Sequence, residues 1–417
     1  MLDPNHAADF VFDPDAPAFV SDPFPTYAWL REHAPVYRWD QGRAFLVSCH
    51  ADVAQLLADR RFSINGRDWI HAPPVPNDGP LAEFFAFLAT SLTAQPSADH
   101  LRLRRLVNPA VTPRAVARMR ERVQRVVDTT LNEAMLNAAI RGESLDVRRD
   151  FAEWLPLRVI ADIFDIPAAH EATFRAFSAA LIIAVNPWIV PEQLLRMASV
   201  AIEGMGILLE IIDERRRHLG DDLLSDLIRV EEAGDRLTSQ ELLRLIASLV
   251  IAGADTTVHA LCFAVLDLLR HPEAWRAVVA DRSLLRNAIE ESLRHQPFGK
   301  FGALPRYALE DAELRGTRIP KGEMAVPVIS ATGRDPSAYP DPDVYDIHRK
   351  LSSTLAFGIG PHVCVGAALA RLELEVAIGT LIERFPSMTL VDEAPVFRPN
   401  PQMRDMESLR VALRGEA

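Results

Sequence analysis

The chain has 417 residues, 49% of them apolar and 24% charged, with 45 basic against 57 acidic side chains and a formal net charge of −12. These are globular proportions, a chain this long can bury about three-quarters of its extended surface, and the acidic balance argues against nucleic acid or an anionic membrane as partner. Three widely spaced cysteines, Cys49, Cys262 and Cys364, give no disulfide framework and fit a reducing cytoplasm.

No repeat, low-complexity stretch or Gly/Ser linker divides the sequence, so residues 1–417 read as one domain, with an irregular N-terminal segment over 1–21. That segment, MLDPNHAADFVFDPD, is acidic and broken by proline, without the positive flank and apolar core of a signal peptide. Apolar residues recur at three- and four-residue intervals over 113–137, 151–164, 191–218, 238–270 and 365–384, which predicts helices, with Pro272 and Pro386 marking ends or starts. Short β-like runs at 35–39, 43–47, 303–307, 317–319, 323–328 and 407–413 are interrupted by Gly and Pro. The expected fold class is mainly α with small β-sheets. The longest apolar runs, such as LIASLVIAGA, fall short of the roughly 18 residues a membrane span requires, so no span is expected.

The segment FGIGPHVCVG, Phe357 to Gly366, delivers Cys364 to the start of the helical stretch AALARLELEVAIGTLIERF. A sulfur there faces unpaired backbone N–H groups and the positive end of a helix dipole, which favour the thiolate. Gly358, Gly360 and Gly366 let the backbone turn and a large flat object approach closely. A lone cysteine is most often a small buried hydrophobe; structural zinc needs four ligands and only His362 stands nearby; GIGPHV lacks the third glycine of a dinucleotide loop. Haem fits the whole segment best, because iron neutralises a buried thiolate and takes it as axial ligand.

Phe357, Gly360, Cys364 and Gly366 match F-x-x-G-x-x-x-C-x-G, and with them the chain resembles the cytochrome P450 family from about Asp22 to the C-terminus. The resemblance implies a triangular helical prism enclosing haem b (iron protoporphyrin IX), with Cys364 as the metal ligand and Phe357, Gly366 and Gly253 beside the haem. In Glu291-Ser292-Leu293-Arg294 the spacing puts carboxylate and guanidinium on one helix face. An exposed pair of this kind contributes only a few tenths of a kcal/mol, but the family buries it and adds a second arginine, here Arg349. Ala252-Gly253-Ala254-Asp255-Thr256-Thr257 sits in the middle of an apolar helix, where Gly, Asp and Thr predict a local bend or opening. Read without the family, it is a close helix crossing at Ala252 and Gly253. By resemblance it gives oxygen a groove at Gly253, a hydroxyl at Thr256 and a proton-relaying acid at Asp255, the two catalytic candidates. His100, Arg104, Arg306 and His362 are implied to face the haem propionates. Where many bacterial relatives have a further histidine, this chain has Thr354.

The resemblance therefore implies a monooxygenase that hydroxylates or epoxidises a medium-to-large apolar molecule. Phrases such as KGEM, GPHVC and ARLELEVAIGT are similar to myxobacterial polyketide-tailoring members, pointing to a macrolide-like natural product of secondary metabolism. Phe84, Phe85, Leu181, Leu249, Ala252, Phe301 and Met403 are the substrate-pocket candidates, each of which could equally be core. The chain has no flavin or iron–sulfur motif, so electrons are expected from a ferredoxin and its reductase. Arg102, Arg105, Arg114, Arg118 and Lys350 would form the docking face, or simply a solubilising surface. A monomer is expected. A peroxide-driven enzyme, a non-catalytic haem sensor and a helical scaffold are the rival readings; the Asp255–Thr256 pair argues against the first two.

Overall fold

The computed structural model describes residues 10–413 except 73, 75, 76, 90–96, 185–190, 233, 303, 352, 353 and 401. Its axis is a central helix, Ser239–Arg270, of 32 residues. Thr238 and Glu241 start it with a reciprocal capping box, the Thr238 side chain accepting from Glu241 N and the Glu241 carboxylate accepting from Thr238 N, which satisfies donors that a helix start leaves open. It stops just before Pro272, as the restriction on a residue preceding proline requires.

Among the described residues, Leu155–Ile163, Glu171–Ala184, Pro191–Arg217, Leu285–His295 and Ala367–Arg384 are helices that pack against it. Their apolar faces merge into one large core cluster. The helix is long and apolar enough to cross a membrane by length and composition, contrary to the expectation from uninterrupted runs, since scattered polar residues do not cancel its mean hydropathy. Yet 71% of that apolar window is buried inside the protein.

The main sheet has five strands in the order Val36–Trp39, Ala44–Val47, Met324–Pro327, Arg306–Ala308, Phe62–Ser63. Val36 pairs antiparallel with Val47, and Met324 runs parallel to Ala44. A three-stranded sheet joins Thr389–Leu390, Arg410–Ala412 and Leu145–Asp146, and the hairpin Phe397–Arg398 with Asp405–Met406 lies beside it in sequence. The observed class is the expected one, mainly helical with small sheets.

Three expectations change in detail. The helix read over 113–137 is two, Pro113–Ala117 and Arg120–Arg141, joined by a tight turn in which Met119 N donates to Val116 O at 2.9 Å. The helix read over 151–164 begins at Leu155 and is preceded by a π-helical turn, Val147–Ala152, whose start is fixed by the Asp146 side chain accepting from Arg148 N and Arg149 N. The segment 1–21 is not wholly irregular: Pro17–Ser21 is helical, and Phe12 and Phe19 are buried, their rings in edge contact with Trp39 and Tyr27. Residues 1–9 lie outside the described residues.

Candidate active site

The Cys364 loop is built by turns that need glycine. Gly358 and Gly360 have φ of 67° and 77°, where a side chain is strained. A Cβ on Gly360 would also lie 3.3 Å from Leu57 O, so the loop rests directly on the helix His50–Ala58. Cys364 N donates to Phe357 O at 2.9 Å, closing the loop, and Gly366 caps the helix Ala367–Arg384. Contrary to the expectation of a helix-stabilised thiolate, the Cys364 thiol is pushed up. Burial outweighs the N–H groups of Gly366 and Ala367 and the charges of Arg104 and Arg371 that act the other way. Such a sulfur becomes anionic when a metal takes it as ligand. Arg371, whose guanidinium lies 4.3 Å above the Phe357 ring and also binds Glu290, braces the loop.

Next to the sulfur the structure gathers the four basic residues that the sequence offered for an anion. The His100 and His362 rings are 4.3 Å apart. Arg306 is held down to about 10 by burial. Its Nη1 donates to the carbonyls of Leu304 and Pro305. His362 is held down to about 4 by burial and by His100, Arg306 and Arg104, and its buried Nδ1 has no hydrogen-bond partner among the described residues. Burial and the Arg104 charge likewise hold His100 down. Burial lowers Arg104 too, offset in part by Cys364. Among the described residues no carboxylate acts on any of the four, although buried cationic groups are normally paired. This is a cradle for a ligand that brings its own acids, and haem with two carboxylates fits it. Thr354, at the position where relatives carry another histidine, turns its hydroxyl inward to accept from Ala356 N at 3.2 Å.

On the central helix, Leu249, Ala252 and Thr256 recur at helical spacing and remain accessible within an otherwise buried element. The helix does not open at this motif; it runs unbroken, because the Thr256 hydroxyl donates back to Ala252 O without displacing the chain, one of the two modes open to a mid-helix threonine. Gly253 answers to the helix crossing: a Cβ there would lie 3.3 Å from Ile160 Cδ1, so its missing side chain admits the helix Leu155–Ile163. Asp255 is held below the ordinary carboxylate range. Burial pushes it up, but the His259 ring, Arg148 and Arg398 outweigh that.

Glu291, Arg294 and Arg349 meet. Arg294 Nε and Nη2 donate to the two Glu291 oxygens at 2.7 and 2.6 Å, and Arg349 Nε donates to Glu291 Oε1 at 3.2 Å. The pocket candidates divide. Phe84 and Leu181 are wholly buried in the main core, and Phe301, also buried, packs its ring 5.8 Å from Trp39 and 6.0 Å from Phe12 in the N-terminal cluster. Phe85, Leu249, Ala252 and Met403 keep accessible surface. Parts of the two pocket segments, 90–92 and 185–190, lie outside the described residues. The docking arginines also divide. Arg102 is spent on Asp235, at 3.0 Å, and Glu241, and Arg118 lies 3.5 Å from Asp226; Arg105, Arg114 and Lys350 are exposed.

Sequence reasoning missed His259, Asp405, Arg371 and Glu290. Only Glu290, beside Glu291, carried a local signal; the others acquire meaning from partners far along the chain.

The cytochrome P450 family model matches residues 74–403. The chain is similar to the epothilone C/D epoxidase of Sorangium cellulosum, 40% identical over 97% of this chain and 96% of that one, and to the cytochrome P450 monooxygenase PikC of Streptomyces venezuelae, 37% identical over 95% and 92%. Its fold superposes on the crystal structure of epothilone D-bound cytochrome P450epoK with a TM-score of 0.87 and 38% identity, covering 98% of this chain and 100% of that one. A family match over most of the chain and relatives this similar along nearly their whole length mean that the chain belongs to the cytochrome P450 family and is an oxidoreductase of the monooxygenase class.

Proposed function

We propose that the chain oxidises the carbon skeleton of a polyketide or macrolide-like natural product, by epoxidation or hydroxylation, working as one cytoplasmic, monomeric unit with a ferredoxin and its reductase. The observation that carries the reading is the joint presence of the Cys364 loop and the Asp255–Thr256 pair on the accessible face of the central helix, in a chain similar over nearly its whole length to an enzyme named as an epothilone epoxidase. Other relatives are named as a 6-deoxyerythronolide B hydroxylase and a mycinamicin IV hydroxylase/epoxidase, so macrolide chemistry recurs among them.

His100, Arg104, Arg306 and His362 would hold the haem carboxylates, and Cys364 the iron. When bound, the haem supplies oxygen activation, and a thiolate ligand favours O–O cleavage. The chain's own share is proton supply and exclusion of water. Thr256 Oγ, its proton given to Ala252 O, keeps its lone pairs turned outward as an acceptor, and a small rotation makes it a donor. Asp255, one residue away, is the acid that resupplies it. Leu249, Ala252, Phe85 and Met403 would offer apolar contact to the substrate.

The test is substrate binding followed by turnover. Purified protein is titrated with unsaturated macrolactones and, separately, with long-chain fatty acids while the haem absorption is recorded, then supplied with ferredoxin, reductase and NADPH. Macrolactone-induced spectral change and an oxygenated product support the proposal. Binding and oxidation of fatty acids alone would overturn the substrate class.

A further inference from the structure

One turn along the central helix from Asp255 lies a histidine outside the family motif. His259 is 0% exposed, its ring stacks parallel to Phe298 at 6.4 Å, and neither ring nitrogen has a hydrogen-bond partner among the described residues. Leaving a buried polar group in that state is unfavourable, and buried ring nitrogens are normally hydrogen-bonded. Instead Nε2 is turned between two carboxylates, 3.5 Å from Asp255 Oδ1 and 4.0 Å from Asp405 Oδ1.

The charges around it form a closed group. Asp405 accepts from Arg398 at 3.1 Å and Arg148 at 3.3 Å, and Arg148 also donates to Glu153 at 2.7 Å. Cys262, behind Arg148, is pushed up to about 12 by burial and stays neutral. Asp255, Asp405 and Glu153 thus face Arg148 and Arg398, with the His259 ring between Asp255 and Asp405. The array also has direction. At one end Asp255 adjoins Thr256; at the other, the Arg398 and Glu153 side chains are 44% and 51% exposed.

We propose that His259 is a positioning residue that fixes Asp255 through Nε2 and returns a proton to it after each transfer. The Nε2 proton passes to Asp255 Oδ1, leaving a neutral ring and a neutral acid. Asp255 gives that proton up at Thr256, and the ring regains one from bulk water along the Asp405–Arg398 edge. This follows from the chemistry of the acid. A carboxyl held below its ordinary range is ionised at neutral pH, so it donates only if a neighbour reprotonates it. The inference rests on Asp255 being the acid of the proposed reaction.

Two measurements decide it. In the first, nitrogen-15 spectra of histidine-labelled holoprotein, reduced and bound to carbon monoxide so as to be diamagnetic, compare wild type with Asp255→Asn and Asp405→Asn. The His259 ring signals are expected to move toward the neutral form in both variants; identical signals in all three proteins overturn the proposal without reference to turnover. In the second, product formed per NADPH is measured for His259→Gln and His259→Phe. Gln keeps a donor near the Nε2 position but cannot hand over a proton, so both variants are expected to lose coupling by at least about tenfold while keeping a red-shifted reduced carbon-monoxide band. Full coupling in His259→Gln reduces the ring to a hydrogen-bonding prop and rejects the relay, as does full coupling in His259→Phe. Unchanged coupling in Asp255→Asn would defeat the acid assignment and the relay together, whereas a loss there with none in the His259 variants defeats the relay alone.

Discussion

Arg294 and Glu291 are both wholly excluded from water and join through two parallel hydrogen bonds of 2.7 and 2.6 Å. Arg294 Nη1 also donates to Gly333 O and Pro342 O at 2.6 and 2.7 Å, and Glu291 Oε1 accepts from Asp346 N at 2.8 Å. The pair therefore ties the helix Leu285–His295 to the loop 333–349 that runs toward the cysteine segment. Removing one partner strands the other charge in the interior, at a cost of about 3–5 kcal/mol. Glu291→Ala should fail to accumulate as haem-loaded protein. Arg349→Ala should be milder, since it leaves the Arg294 bonds in place. Soluble yield, haem content and the thermal midpoint of both variants check the order; equal behaviour would show that the burial of the pair does not set the cost.

Cys364→Ala should remove the sulfur beside the basic cradle. Protein that still takes up haem should then lose the strongly red-shifted Soret band of the reduced carbon-monoxide complex, because that band reports a thiolate ligand. A retained red-shifted band would remove Cys364 as ligand. The same spectrum of Arg306→Leu should keep the band's position while haem is released more readily, as this guanidinium pairs with no acid among the described residues.

Much of this was legible because its causes are local. The central helix could be delimited from its apolar periodicity over 238–270 and from Pro272, and the capping box of Thr238 and Glu241 that starts it is equally local. The glycines around Cys364 likewise state their φ angles in the sequence. What was not legible depends on distant partners. That Ile160 lies against Gly253 is a contact made across nearly a hundred residues of chain. Phe301 looked like a pocket wall until Trp39 and Phe12 closed on it. The π-helical turn at Val147 hangs on Asp146, which also accepts from Leu409 N at 3.0 Å, a pairing no local pattern announces. Cys364 shows the same limit in its chemistry: helix position argued for a thiolate, and burial, which only the folded protein reveals, outweighed it.

Thr256→Ala removes a hydroxyl whose hydrogen bond to Ala252 O lies within the helix, so fold and haem content should be unchanged. Losing the group that passes on the proton from Asp255 should raise peroxide released per NADPH and lower product by roughly 10²-fold, the lower range for a positioned proton donor. Coupled turnover at the wild-type level would sink the assignment of this pair.

Glu373 makes the stability of the protein pH-dependent in a way that can be isolated. Its side chain is 3% exposed on the helix Ala367–Arg384, Oε2 has no hydrogen-bond partner among the described residues, and burial raises its carboxyl well above the ordinary 4.5. The folded protein thus holds this proton when the unfolded chain has already released it. Stability from Glu373 is complete below about pH 4.5 and is lost as pH rises toward the raised value. Glu373→Gln keeps the shape and cannot ionise. Its thermal midpoint relative to wild type should therefore climb as pH rises above about 4.5, whatever constant offset the new amide introduces, because the other titrating groups are common to both proteins and cancel in the difference. Parallel midpoint curves across that range would mean that Glu373 ionises in the fold without penalty, through a partner that its buried position does not suggest.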